Sequence, residues 1–295
     1  MSSSDLMHRF LFDHTDIRGE VVTLKDTYRQ VLANNPGLPP LVQALLGEFV
    51  AAVSLLSSTL KFDGILTLQA RGDGPLSLIM AECSHHKAVR AVVQTAEGAD
   101  FSGLESANLQ QLLGTGMLAI IIDPDKGERY QGIVPMDSPH LSGCLEHYFA
   151  QSEQLATRFW LASDDQASSG LMLQALPRQI SASAEENQDH WETATQLADT
   201  VKNEELLQLD HADLLYRLFN EEEVRMFDPV GVRFECSCSR ERSANALVSL
   251  GRKEVEALLS EQDMISINCQ FCNQVYAFGS TDLEEIFGDR ESPIH

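Results

Sequence analysis

Four of the six cysteines fall in two close pairs, Cys236 and Cys238 in "FECSCSRER" and Cys269 and Cys272 in "INCQFCNQ". Two such pairs parted by a helix-sized insert bring four thiolates around one tetrahedral ion. Zinc is the expected metal, one per chain, because it favours sulfur and undergoes no redox change; iron–sulfur clusters usually take more widely separated ligands. A shell of four thiolates leaves no position for water, which argues against hydrolysis at the metal. Two readings follow: a zinc ribbon that only clips the fold, and a reactive thiol centre. Arg233, Arg240 and Arg242 crowd the first pair, and positive neighbours stabilise thiolate, the form that oxidants attack. An extended C-x-C places its α-carbons about 6.6 Å apart, the upper edge of what a disulfide tolerates, so oxidising it rearranges the backbone. Zinc contributes on the order of 10 to 16 kcal/mol to folding in small domains of this kind, and its loss unfolds them. A third reading makes "CQFC" a thiol–disulfide oxidoreductase site. That chemistry wants the motif at a helix N-terminus beside a βαβ pattern, whereas here the short strand candidate "VYAF" follows it.

The rest of the chain has to position and use these thiols. Its 295 residues suffice for two domains, or one large domain with an appendage, and 43% apolar residues are ample for a core. A net charge of −23 and a pI near 4.6 disfavour nucleic acid and anionic membrane surfaces as partners. Soluble proteins are the expected partners. The opening "MSSSDLMHRFLFDHTD" has no basic region followed by an apolar run, so no secretory signal is expected and a reducing cytoplasm is. The most apolar stretch, Pro40 to Leu60, carries Gln43, Glu48 and several hydroxyls and reads as a buried helix.

The expected fold class is α+β, in three parts. Residues 1–178 form a mixed α/β N-terminal domain. Its clearest hairpin is "ILTLQARGDGPLSLIM", with Leu66, Leu68 and Ala70 on one face, Leu76, Leu78 and Met80 on another, and "GDG" as the turn. Two more strands flank the turn in "MLAIIIDPDKGERYQGIV". "GDGP" and "GTG" match no phosphate-binding loop and read as turns; nor does any other nucleotide motif appear. Residues 179–229 are an acidic helical linker. From Ser181 to Pro229 there are 13 Asp and Glu against three Lys and Arg, and no glycine. Trp191, Ala194, Ala198 and Val201 recur at helical spacing; Leu214, Leu215, Leu218 and Phe219 form a second stripe behind Asp210 as N-cap. Helices this short depend on docking. They are either an ordinary surface pair or a metastable element whose like charges help it come undone. Residues 230–295 form a small C-terminal zinc-binding domain holding the cysteine pairs and the helix-like run "ALVSLGRKEVEALLSE".

Other candidates have blander readings. Cys83 in "AECSHHK" lies beside His85 and His86, but adjacent histidines point apart and a fourth ligand is lacking, so a surface turn is expected. Cys144 in "GCLEHYF" reads as a buried helical thiol. Lys61, Asp63, Glu128 and Arg129 are expected in surface ion pairs. No catalytic Ser/His/Asp or Cys/His constellation can be assembled, and no catalytic residue is assigned.

Together the strings "CSCSRER", the downstream C-x-x-C, "HRFLF", "IRGEVVTL", "LKFDG", "GDGP", "GERYQG" and "SEQLATR" make the chain resemble, over essentially its whole length, the 33 kDa heat-shock chaperone family of redox-regulated bacterial holdases. The resemblance implies a cytoplasmic chaperone rather than an enzyme, inactive while reduced and zinc-bound. It implies that oxidation joins Cys236 with Cys238 and Cys269 with Cys272 and ejects zinc. The linker then unfolds, the protein becomes a homodimer, and unfolding clients are held without ATP. The linker and extreme C-terminus match the family's wording less closely, and no client-binding residue is assigned.

Overall fold

The computed structural model describes residues 5–58, 63–104, 108–181 and 183–288. The chain forms two compact units, Met1–Glu235 and Cys236–His295. The first opens with strands β1 (Leu6–Phe12) and β2 (Ile17–Leu24) and helices α1 (Asp26–Asn34) and α2 (Pro40–Ser57). Strands β3 (Gly64–Gly72), β4 (Leu76–Ser84) and β5 (Ala88–Thr95), helix α3 (Leu109–Leu113) and strands β6 (Gly116–Pro124) and β7 (Tyr130–Val134) follow. Helix α4 (Leu141–Tyr148) leads into β8 (Thr157–Ser163) and β9 (Ser168–Ala175). The acidic stretch supplies α5 (Ala184–Ala198), α6 (Asn203–Gln208) and α7 (His211–Phe219), then short strands β10 (Val224–Met226), β11 (Val230–Gly231) and β12 (Arg233–Phe234). One sheet runs β10-β1-β2-β9-β8 with β11 also on β1, and the other runs β12-β5-β4-β3-β6-β7. This is the expected α+β class.

Helix α2 packs against strands of both sheets. Every residue from 49 to 57 is buried, so all sides of its last turns face protein. Among the described helices α2 is long and apolar enough to cross a membrane, but this burial makes it a core helix. Its partners include Val22, Leu24, Leu66, Leu68, Ile79 and Met172.

The β3–β4 hairpin forms as expected, with one correction. Leu76 pairs with Thr95 and Leu78 with Gln94, so β4 holds an extra residue there. The bulge moves the alternation by one. Ile79, Ala81 and Cys83 face the core, and Met80 does not. Cys83 is therefore a fully buried strand residue, not part of a surface turn. Burial pushes its thiol pKa up. The "GDG" turn needs its glycines: a Cβ on Gly72 would lie 1.9 Å from the Leu113 carbonyl oxygen, and Gly74 N–H donates to that oxygen at 2.9 Å. Cys144 is buried in α4 as expected. Asp63 faces His85 at 3.7 Å and Glu128 and Arg129 are exposed; Lys61 lies outside the described residues.

The acidic stretch forms three helices rather than two, because the interval after α5 closes one more turn at "NEELLQ". They dock on the face of the first sheet that points away from α2. Phe10, Phe12, Ile17, Val21, Leu171 and Leu173 meet Ala194, Ala198, Leu206, Leu214, Leu218 and Phe219, with Trp160 and Trp191 at the margin. Asp210 caps α7 by accepting from Ala212 N–H. Polar contacts fix the ends. Buried Asp16 accepts N–H bonds from Gln179, Ile180 and Ser181 at 2.9–3.1 Å. Asp199 accepts from Trp160 Nε1 at 3.0 Å and pairs with Arg158 at 2.9 Å.

The second unit holds α8 (Arg240–Leu250), α9 (Arg252–Glu261), the hairpin β13 (Ile265–Asn268) and β14 (Val275–Phe278), and α10 (Asp282–Phe287). The single helix-like run read from the sequence is broken at Gly251, whose φ of +97° no side-chain-bearing residue adopts without strain. Among the described residues the buried core is Leu247, Val255, Ile265, Phe278 and Leu283.

Candidate metal centre

Each cysteine pair sits in a tight loop of the second unit. Cys269 and Cys272 lie in the reversal between β13 and β14. Asn273 N–H donates to the Cys269 carbonyl at 2.8 Å, and Cys269 N–H to the Gln274 carbonyl at 2.9 Å. Asn273 makes this closure possible by adopting φ +58°, a left-handed conformation that asparagine tolerates better than most residues. The motif is thus in a hairpin turn, not at the helix N-terminus that thioredoxin-like chemistry requires. Cys236 and Cys238 lie immediately before α8. Ser239 caps that helix by accepting from Arg242 N–H, so the chain must turn at the second cysteine.

The arginines do structural work here. Arg242 folds back to donate to the carbonyl and Oγ of Ser237 at 3.0 and 2.8 Å, clamping the residue between the two cysteines. Arg240 donates to the Ala277 carbonyl at 2.6 Å, pairs with Asp282 at 2.7 Å and lies over the Phe278 ring. It thereby ties the start of α8 to the hairpin. Arg233 is in the first unit, bonded to Glu235 and to the His86 carbonyl.

The four sulfurs converge. All lie within 4.8 Å of one another, all half-buried. The short contacts run between the pairs: Cys236 to Cys269 at 3.6 Å and Cys238 to Cys272 at 3.4 Å. A tetrahedron with zinc–sulfur bonds of about 2.3 Å has sulfur–sulfur edges of about 3.8 Å. Donor type and spacing therefore fit a four-thiolate metal site and are compatible with zinc. Electrostatics single out one sulfur. Burial opposes ionisation of Cys238, but hydrogen bonds from the Tyr276 hydroxyl and the neighbouring thiols outweigh it and bring its pKa to about 7. Burial, reinforced by the thiols of Cys238, Cys236 and Cys269, holds Cys272 well above the usual thiol range.

Tyr276 was not legible as part of this site. Within "VYAF" it reads only as a strand aromatic, and the hairpin turn alone carries its hydroxyl back to Cys238, at 3.3 Å. Pocket-like space in this unit, about 440 Å³ between α8 and α10, is lined by Arg240, Glu241, Ala244, Phe278 and Asp282 among others and contains none of the four thiols.

Residues 5–279 match the model of the Hsp33 protein family. The 33 kDa chaperonin of Ectopseudomonas mendocina is 51% identical over 288 residues, covering 96% of this chain and 95% of its own. That of Pseudomonas aeruginosa PAO1 is 51% identical over 291 residues, covering 97% and 96%. The crystal structure of the Thermotoga maritima 33 kDa chaperonin superposes with a TM-score of 0.79 at 23% identity, covering 96% of this chain and 98% of the other. Fold, cysteine arrangement and near-complete coverage lead to one assignment: this chain belongs to the Hsp33 family.

Proposed function

We propose that this Hsp33-family chaperone is a redox-regulated, ATP-independent holdase of the cytoplasm, silent while reduced and switched on by oxidation. The observation that carries the reading is the convergence of four thiols inside a module whose described core is five side chains. A core this small does not stabilise a fold alone, so donor set and fold stand or fall together. Cys236, Cys238, Cys269 and Cys272 would hold one zinc ion, which supplies cross-linking free energy and leaves no open position for catalysis. Each pair, Cys236 with Cys238 and Cys269 with Cys272, yields two electrons to one hydrogen peroxide, which takes two protons from solvent and leaves as two waters as one disulfide forms per pair. Two disulfides replace four thiolates, and the module loses both its donors and its loop geometry.

In this reading residues 1–178 are the body, 179–229 the releasable segment and 230–295 the sensor. Once the sensor unfolds, the acidic helices come away from the sheet. Their apolar stripe and the face carrying Phe10, Phe12 and Leu171 then become available to unfolding client proteins, and two chains associate as a homodimer. A net charge of −23 supplies the self-repulsion that keeps such a surface soluble. No nucleotide, nucleic acid or membrane takes part, and no covalent product is released.

The test measures zinc content and suppression of aggregation of a chemically denatured client, without ATP, before and after peroxide. Protection by the oxidised, zinc-depleted protein and little by the reduced, zinc-loaded one is expected. Equal protection by both forms would replace the switch with a constitutive binding surface, and turnover of a small disulfide substrate would replace it with an oxidoreductase.

A further inference from the structure

Beneath α7 lies a polar network that the cysteine chemistry does not use. His211, the first residue of α7, is 5% exposed and His8 of β1 is 8% exposed. Their Nδ1 atoms are 2.7 Å apart and their rings meet edge to face at 4.9 Å. His211 Nε2 lies 2.9 Å from Thr23 Oγ1 on β2. Thr23 in turn meets Ser169 Oγ on β9 at 3.1 Å, and Ser169 donates to the Val22 carbonyl at 2.7 Å. One side chain of the acidic segment is thereby tied to three strands of the sheet beneath it.

We infer that the His8–His211 pair is an acid-sensitive latch, which holds the acidic segment on the sheet while both rings are neutral and releases it on protonation, with no change at the cysteines. The geometry dictates this. A bond between two Nδ1 atoms needs one ring to donate and the other to accept: protonating one ring keeps that bond but buries a charge, and protonating both leaves no acceptor. Two charged rings this close would also repel in a buried site. Compensation nearby is slight. Asp210, the N-cap of α7, acts on both rings in the stabilising direction, but its carboxylate is bonded to Ala212 N–H. Thr23 and Ser169 are neutral, as are Val230 and Gly231 of β11. Arg9 and Glu20 lie at register positions of the opposite sheet face. Asp213 is exposed, Arg225 of β10 is paired with Asp13, and Arg158 of β8 with Asp199.

Burial chiefly, then the His8 charge, lowers the His211 pKa from 6.5 to about 4, and burial lowers that of His8. The released state therefore binds more protons than the docked one between these values, so docking is strongest above about pH 6.5 and weakens as pH falls toward 4. For His211 alone, acidification from pH 7.5 to 5 shifts the equilibrium about 30-fold toward release. Asp16 does not share this window. Burial opposes its charge, but the N–H groups of Ser181, Gln179 and Ile180 more than offset that and keep it ionised below the usual carboxylate range.

The inference shares with the proposed function the premise that residues 181–228 are the releasable element, and the experiment keeps every cysteine reduced so that the two fail separately. Full-length reduced protein and His211→Gln are digested with a protease at about pH 7.5 and pH 5, with zinc content followed in parallel. Gln retains a group that can bond Thr23 but does not titrate. Cleavage within 181–228 rising at pH 5 in the unsubstituted protein and not in His211→Gln is expected. Both proteins carry the same thiols, so opening caused by metal loss would appear in both, and equal opening or equal protection overturns the latch. Should His211→Gln fail to dock at pH 7.5, ring-nitrogen NMR of the unsubstituted protein decides. Protonation of His211 coinciding with the rise in cleavage supports the latch; protonation near 6.5 with protection intact, or protection kept to about pH 4, overturns it.

Discussion

The hydroxyl of Tyr276 lies 3.3 Å from Cys238 Sγ, four positions beyond the second cysteine pair and across the hairpin from the first. It donates to that sulfur, whose ionised form the bond favours, and so links the hairpin to the first cysteine pair. Tyr276→Phe keeps the ring and removes the donor. Loss of an outer hydrogen bond to a ligand typically costs about 10–100-fold in metal affinity, so zinc should pass to a competing chelator at correspondingly lower chelator concentration. Unchanged competition would show that the contact is incidental.

Reduced protein should bind one zinc ion, and Cys238→Ser should bind it more weakly because three thiolates hold the ion less well than four. Metal analysis of carefully reduced protein, followed by chelator titration of the variant, checks both statements. The absence of zinc from the reduced protein would remove the basis of the switch.

Leu214 is fully buried where α7 meets the sheet. Leu214→Ala should destabilise that docking by about 2–5 kcal/mol. The acidic segment would then open under reducing conditions, with zinc retained, and the variant would protect clients without oxidant. Limited proteolysis of 181–228 beside an aggregation assay tests this; an open segment without client protection would separate release from activity.

Asp16→Ala strands three N–H groups at the start of the acidic segment, a loss on the order of 1–3 kcal/mol. Asp16→Asn keeps one acceptor oxygen and should lose less. Because the N–H bonds outweigh burial and lower the Asp16 pKa, its contribution is present above its ordinary value of 3.8 and is lost as pH falls through the lower folded value. Thermal unfolding of the two variants at neutral pH gives the ranking, and convergence of all three proteins at low pH gives the sign.

Oxidation should red-shift the emission of Trp191 and open residues 181–228 to protease, since Trp191 packs at the margin of the docked helices. Trp160 shares that margin and its indole N–H is bonded to Asp199, so both indoles report the same release. Unchanged protection after complete zinc loss would detach the sensor from the segment.

What the sequence determined by itself is local chemistry and periodicity. The C-x-C and C-x-x-C spacing announces a four-thiol cluster, because ligand type and short-range spacing are covalent properties of the chain. Leu66, Leu68 and Ala70, the helix of Pro40–Ser57 and the Asp210 cap were legible for the same reason: alternation, apolar length and capping act within one element. Tertiary structure decided whatever depends on which elements meet. The bulge that turns Ile79 and Cys83 inward is set by pairing with β5. Arg240 and Arg242 look like thiolate partners in sequence but find carbonyls and a carboxylate once α8 meets the hairpin. His8 and His211 stand 203 positions apart, and only the closing of α7 on β1, β2 and β9 turns two unremarkable histidines into one buried titratable pair.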